Sequence, residues 1–300
     1  MKQPLLLLLG TGIALGLNFP LGKLASSLGI PAALWSAYIC LAAGLALGLV
    51  TAVSKTPSQM PQGLWRFSII SGFISFVVPN LLTYTVIPKI GSGLTGMMFA
   101  LSPMVTALLS FMLGVRPPNA RGFIGIGLGL AGAAIIILGK ERDAAGGISW
   151  WLILGLAIPL FLGMGNVYRT RAWPTGAGPM TLASLTNLAA VPFLLVIEFA
   201  MNNGIDLAPL IHAPVLLLTQ LVSSSVMFLM FFRLQQIGGP TYLSQIGYVA
   251  ATVGLGVGVG YFGEVYPPAV WLGAAIVAAG IAVSTFAQRT SSNSVADKGA

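Results

Sequence analysis

The sequence predicts an all-α integral membrane protein whose ten transmembrane helices form two inverted five-helix repeats. Three observations predict it: a composition unsuited to water, apolar runs of spanning length, and an internal repeat. The chain has 300 residues, 56% of them hydrophobic and only 7% charged, against roughly 25% charged in soluble domains. Such a chain cannot cover itself with groups that water solvates, so its solvent is lipid.

A spanning helix needs about 20 mostly apolar residues. Ten runs qualify, at 4–22, 32–53, 66–87, 91–113, 119–139, 149–168, 179–200, 212–234, 240–262 and 268–288. The breaks carry loop chemistry, as in Lys55-Thr56-Pro57-Ser58, Arg116-Pro117-Pro118-Asn119, Lys140-Glu141-Arg142-Asp143 and Tyr266-Pro267-Pro268. Two connections are very tight, around Pro88-Lys89 and Gln235-Gln236. Five leucines follow Met1-Lys2-Gln3-Pro4. Without a small-x-small cleavage site they read as an uncleaved first span. The polar stretch 290–300 is expected to be a disordered cytoplasmic tail.

The net charge of +8 does not imply a nucleic-acid partner, because the 14 Lys and Arg residues are scattered between apolar runs. Scattered loop cations set topology instead. With the N-terminus inside, the inner side holds Lys2, Lys55, Arg66, Arg116, Arg121, Arg169, Arg171, Arg233, Arg289 and Lys298, and the outer side holds Lys23, Lys89, Lys140 and Arg142. That ten-to-four split places both termini in the cytoplasm of a multi-pass protein of the cell inner membrane.

A shift of 147–148 residues superposes the halves. Asn18 falls on Asn166, Lys23 on Arg171, Pro31 on Pro179, Ile90-Gly91 on Ile237-Gly238, Gly125 on Gly273 and Gly132 on Gly280. The expected units are 1–145 and 146–289. Five spans per unit, an odd number, forces the units to be inverted across the membrane. That is a plan of secondary transporters, with the binding site at the repeat interface near the midplane.

Several motifs add a family resemblance. They are Leu17-Asn18-Phe19-Pro20-Leu21-Gly22-Lys23, Ile90-Gly91-Ser92-Gly93, Leu101-Ser102-Pro103, Leu113-Gly114-Val115-Arg116-Pro117, Ile237-Gly238-Gly239-Pro240 and Gly263-Glu264, with Gly125, Gly132, Gly273 and Gly280 in the closing helices. Together they resemble the EamA module of the drug/metabolite transporter superfamily. The first half has Val115 where that family usually has Glu, and the second half lacks the mid-helix proline, near Ala250. The resemblance implies a carrier, of amino-acid or metabolite exporter type, whose third, fourth, eighth and ninth helices line a central path. Amino acids come first among the cargoes it implies; drugs, nucleosides and sugars are alternatives.

Polar residues inside spans are costly in lipid unless they face a cavity or a partner. The candidates for substrate binding are Asn18, Asn80, Tyr84, Asn166, Gln245 and Tyr248. Thr83, Thr95, Ser102, Gln220, Ser223, Ser224, Ser225 and Tyr242 share their helices. For all of these, hydrogen bonding between helices is the competing role. Glu198, Asp206, Glu264 and His212 map to outer ends or loops, with Glu264 expected to brace the corner after the ninth helix. No acid lies mid-span, so facilitated movement is at least as well supported as proton coupling, and cargo of strong net charge is disfavoured.

Cofactors and metals are not expected. Gly91 to Gly96 and Gly127 to Gly132 match a dinucleotide fingerprint but lack the acid about 20 residues on. Gly125/Gly129, Gly254/Gly258 and Gly256/Gly260 fit close helix packing. Lone Cys40 excludes an intrachain disulfide, and one His with six acids assembles neither a metal cluster nor an enzyme site. A non-transporting structural or regulatory subunit is the other class. The tryptophans Trp35, Trp65, Trp150, Trp151, Trp173 and Trp271 are expected at the interfaces. Partners are a small-molecule substrate and the bilayer, with a monomer or homodimer as the assembly.

Overall fold

Lipid offers backbone groups no hydrogen-bond partner, so a chain crossing it must satisfy them internally. The computed structural model of the chain follows that constraint. It describes residues 2–53, 61–114, 120–141 and 149–296, and no strand occurs among them. The helices are α1 (Lys2–Ser27), α2 (Ala32–Val53), α3 (Leu64–Ile90), α4 (Ser92–Met112), α5 (Ala120–Glu141), α6 (Trp150–Ala172), α7 (Pro179–Asn202), α8 (Pro214–Ser244), α9 (Ile246–Gly260) and α10 (Pro268–Ala296). A single turn, Ala208–Ile211, precedes α8.

Among the described residues seven helical stretches are long and apolar enough to cross a membrane; Phe123–Ile136, Ile246–Gly260 and Pro268–Gly280 are apolar but shorter. Helix ends differ from the sequence-based expectation in a way that matters. α1 continues past residue 22 and α6 past 168, so Lys23 and Arg169 ride on helices and not in loops. The backbone of α10 is helical to Ala296, where the sequence suggests a tail from residue 290.

Interruptions of the helices have local causes. In α3 a π-helical turn, Phe73–Val77, precedes Pro79. Proline lacks an N–H, and its ring crowds the carbonyl four residues back, so the ladder loosens into a wider turn. In α4 the backbone breaks at Leu101 (φ −80, ψ −16), two residues before Pro103. A break of the same conformation occurs at Gln245 (φ −65, ψ −14) before α9, without a proline.

The two tight connections share another device. Gly91 has φ 93 and ψ 162, and Gly239 has φ 69 and ψ −177, a region open essentially only to glycine. The conformational counterpart of Gly91 is therefore Gly239, one residue beyond the Gly238 that the sequence match suggests.

α1 packs against α8 and α9, and α6 packs against α3 and α4. α2 lies on α7, α4 on α9, and α5 on α10. The last pair meets backbone to backbone: a Cβ on Gly132 would fall 2.7 Å from the Gly273 carbonyl oxygen, and one on Gly280 would fall 2.7 Å from that of Gly125. In α9, a Cβ on Gly254 would meet the Phe19 ring at 2.7 Å, and one on Gly258 would run into Glu264, while Gly256 and Gly260 face open space. Only one of the two glycine faces of α9 is a packing face.

One end of the bundle collects Lys23, Ser92 and Glu264, with Lys89 5.5 Å from the Trp151 ring. The opposite end collects Trp173, Phe67 and Phe232, at ring separations of 6.2 and 6.3 Å. Trp65, Trp150 and Trp271 are exposed as interfacial anchors would be, whereas Trp35 is 1% exposed and belongs to the core.

The glycine contacts give a paired prediction. Gly247→Ala places its Cβ against the Phe99 carbonyl and should cost about 1–3 kcal/mol through overpacking. Gly256→Ala, with nothing within 4 Å, should be neutral or mildly stabilising, since alanine is the better helix former. Thermal melting of the detergent-purified variants checks the contrast.

Candidate functional site

All three mid-helix breaks open onto one central cavity. The π turn of α3 and the turn after it present Ser75, Phe76, Pro79 and Asn80 to it, the α4 break presents Phe99 and Ser102, and the α9 break presents Ser244, Ile246 and Gly247. Asn166 and Arg169 of α6 and Met227, Phe228 and Phe231 of α8 close it. The space not filled by atoms is about 590 Å³, open mouth included. A backbone relieved of its regular ladder is tolerated at membrane depth where it lines a cavity.

The wall has an apolar part and a polar part. Phe76 stacks edge-on with Phe228 and Phe231 at 4.8 and 6.4 Å. Beside these rings is a connected polar set. Arg169 is 1% exposed. It donates through Nη2 to Asn166 Oδ1 at 2.7 Å and through Nε to Gln235 Oε1 at 3.3 Å. Asn166 in turn donates to Thr106 Oγ1 at 3.2 Å, and Gln235 to Thr170 Oγ1 at 2.8 Å. The guanidinium lies 4.9 Å from the Phe231 ring centre. Its Nη1 and the hydroxyl of Ser75 find no partner in the protein. Thr170 and Gln235 also line a second, more open space with Trp173, Pro174, Gln236 and Gly239, so Arg169 stands between the cavity and this vestibule.

Arg169 is the residue that sequence reading placed elsewhere. It stands one residue beyond the expected end of the sixth span and was counted as a loop cation. The legible signal was its spacing: Asn166 and Arg169, three apart, share a helix face. The expectation that cargo of strong net charge is disfavoured took no account of this buried cation in the cavity wall.

The six candidate residues divide. Asn80 and Asn166 are in the cavity wall. Asn18 is buried between helices, accepting from Gln220 Nε2 at 2.5 Å and touching Met227 Sδ at 3.1 Å, which ties α1 to α8. Tyr84 packs in the core against Gly22. Gln245 forms the break ahead of α9, and Tyr248 packs against the main core. Of the secondary candidates, Ser102 lines the cavity, while Thr83, Thr95, Ser224 and Ser225 bond to carbonyls of their own helices. The Tyr242 side chain lies outside the described residues.

The end of the molecule away from the vestibule is braced by Glu264. Its carboxylate pairs with Lys23 Nζ at 2.5 Å and accepts from Ser92 N (2.8 Å), Ser92 Oγ (2.9 Å), Gly93 N (3.0 Å) and the Tyr266 hydroxyl. It therefore caps the N-terminus of α4, where exposed N–H groups and the helix dipole favour an anion, and fastens α1 to it. The sequence assigned it only to its own corner. Burial pushes the Glu264 carboxyl up, but Lys23, Tyr266 and the two amides overcome this and hold it at about 2. Glu198, expected at an interface, is 1% exposed among protein side chains, where it accepts from Asn202 at 2.8 Å.

Comparison with known proteins gives one family match. Residues 2–138 match the model of the EamA-like transporter family. Over that stretch, just under half of its length, the chain is similar to the EamA-like transporter family. The chain is thus a multi-pass, transporter-like membrane protein. A solved crystal structure superposes on this chain with a TM-score of 0.64 at 18% identity, over 93% of this chain and 97% of the other. At that identity the likeness speaks to fold alone. No curated protein matches the EamA-like chain significantly in sequence.

Since the folded carboxyl sits below its ordinary value, the Glu264 brace contributes stability in full above pH 4.5. That stability is lost as pH falls toward 2. Glu264→Gln should lower stability by about 2 kcal/mol at neutral pH, the scale of hydrogen bonds to a charged group. The gap between variant and wild type should hold from pH 8 to 5 and shrink below pH 4.5, as read by melting curves across pH.

Proposed function

We propose that the protein is a secondary transporter, an exporter that moves small polar metabolites across the cell inner membrane by alternating access around the central cavity. One observation carries the reading: a cavity walled by buried polar and aromatic side chains from both sequence halves, separated from an open vestibule by Arg169, Gln235 and Thr170, with the far end braced by Glu264. A structural subunit has no use for such a compartment.

Ten spans in two inverted repeats account for the packing. Exchanging the halves turns α1 against α8 and α9 into α6 against α3 and α4, and maps the α2–α7, α4–α9 and α5–α10 contacts onto themselves. The matched backbone conformations of Gly91 with Gly239, and of Gly114 (φ 67) with Gly263 (φ 62), support the same relation. Rocking of one half against the other around a fixed site then exposes the cavity to each side in turn. Both termini are assigned to the cytoplasm, the side of the vestibule. Asn80 and Asn166 are the binding residues best supported by position, and amino acids are the first cargo class to try. The protein acts as a monomer or homodimer.

Facilitated movement is preferred over proton coupling, because among the described residues no lining side chain of the cavity is a carboxylate. Counterflow in proteoliposomes with a panel of amino acids, nucleosides and sugars tests the function. Failure of every class to exchange would overturn it.

Two further outcomes are expected. Cys40 is fully buried, so single cysteines can be read against a silent background. Gln236→Cys should react with a membrane-impermeant thiol reagent from the cytoplasmic side only. Val265→Cys, at a position 91% exposed, should react from the outer side only. Glu198 is not in the cavity wall, so Glu198→Gln should leave the pH profile of transport unchanged; loss of a steep pH dependence in this variant would establish proton coupling through Glu198.

A further inference from the structure

We infer that the cavity recognises a carboxylate, and that its ligands are organic acids with an apolar or aromatic body, seated with the carboxylate on Arg169. The inference rests on the transporter reading for its biological meaning but not for its geometry.

Arg169 cannot shed its charge, because guanidinium stays protonated in proteins. Burying an ion away from water is costly unless it is paired and hydrogen-bonded. Yet among the described residues the one ion pair is Lys23–Glu264, at the far end of the molecule. The acceptors Arg169 does have, Asn166 Oδ1 and Gln235 Oε1, are neutral amides that engage Nη2 and Nε. They hold the guanidinium plane in place and leave Nη1 over.

The unused Nη1 is not isolated. A Cβ on Gly165 would lie 3.2 Å from it and would collide with the Ser75 hydroxyl. Glycine at 165 therefore gives room to two buried groups without a protein partner, a guanidinium N–H and a serine hydroxyl, on residues of the cavity wall. Both can donate to one anionic oxygen or to the two oxygens of a carboxylate, and charge-assisted bonds of this kind are the strong ones. An anion at this spot also supplies the missing countercharge.

The rest of the wall decides what the anion is attached to. Phe76 and Phe231 lie against the guanidinium, and Phe99, Phe228 and Met227 line the same cavity, surfaces suited to aliphatic or aromatic groups. No described lining side chain is acidic, so the wall offers an ammonium group no counterion. The recognised feature is thus a carboxylate on an apolar body. Amino acids qualify through their carboxylate and side chain, and their ammonium adds nothing.

The test uses purified full-length protein and matched probes: phenylacetate, phenylacetamide, phenethylamine and phenylalanine, with hexanoate and indole-3-acetate as carboxylates of other shapes. Binding is measured by calorimetry and by ligand-induced thermal stabilisation. The carboxylates should bind roughly tenfold to a hundredfold more tightly than the amide or amine, the range expected for a hydrogen bond to a charged group. Arg169→Met should erase that preference, and Arg169→Lys should keep part of it. Equal binding of carboxylate and amide, preferential binding of the amine, or no carboxylate binding at millimolar concentration would each overturn the inference. The wild-type comparison stands even if Arg169→Met fails to fold. Carboxylate binding without counterflow would sink the transporter reading alone; counterflow of neutral or cationic solutes only would sink this inference alone.

Discussion

Backbone hydrogen bonding in a medium without water governs this molecule. Every residue taken out of the helical ladder leaves a polar group that lipid cannot satisfy. The chain departs from the ladder within the bundle at few points, and those points cluster. The π turn of α3, the α4 break at Leu101 and the break at Gln245 all give side chains to the same cavity. The irregular backbone and the compartment are one feature. Proline at 79 and 103 breaks the ladder, the breaks keep helices from closing on each other, and the cavity provides the setting in which broken backbone is tolerated.

The same constraint explains why the two ends of the molecule differ. At the α4 end, the first N–H groups of a helix beginning at Ser92 need acceptors, and Glu264 supplies them while pairing with Lys23. Three separate elements are thereby joined through one carboxylate. The position matched to Glu264 in the first half is Val115, which has no acceptor to offer. Among the described residues the vestibule lining contains no carboxylate.

Much of this was legible in the sequence, and what was not has a common cause. Hydropathy gives helices because apolar length is a property of a segment. Glycine spacing gave close packing at Gly125/Gly129, where α10 approaches through Gly280, but it did not give the partner helix. Side-chain partners are different, because they depend on where another segment lies. Asn18 and Gln220, 202 positions apart, satisfy each other, so a polar pair that could have lined a path became a link between helices. Lys23 and Arg169 were assigned to loops by boundaries only a few residues short. One became half of an ion pair, and the other the one cation in the cavity wall.

The placement of Arg169 bears on energetics more than any other residue. In a cavity without charge, ligand binding would draw on contact with the phenyl rings and on neutral hydrogen bonds, and the empty and loaded states would differ little electrostatically. With a fixed guanidinium they differ by a full countercharge. An anion that neutralises the site lowers the cost of enclosing it, so closure around the cavity becomes easier when it is loaded than when it is empty. That is differential affinity between states, which any ligand needs in order to shift a conformational equilibrium.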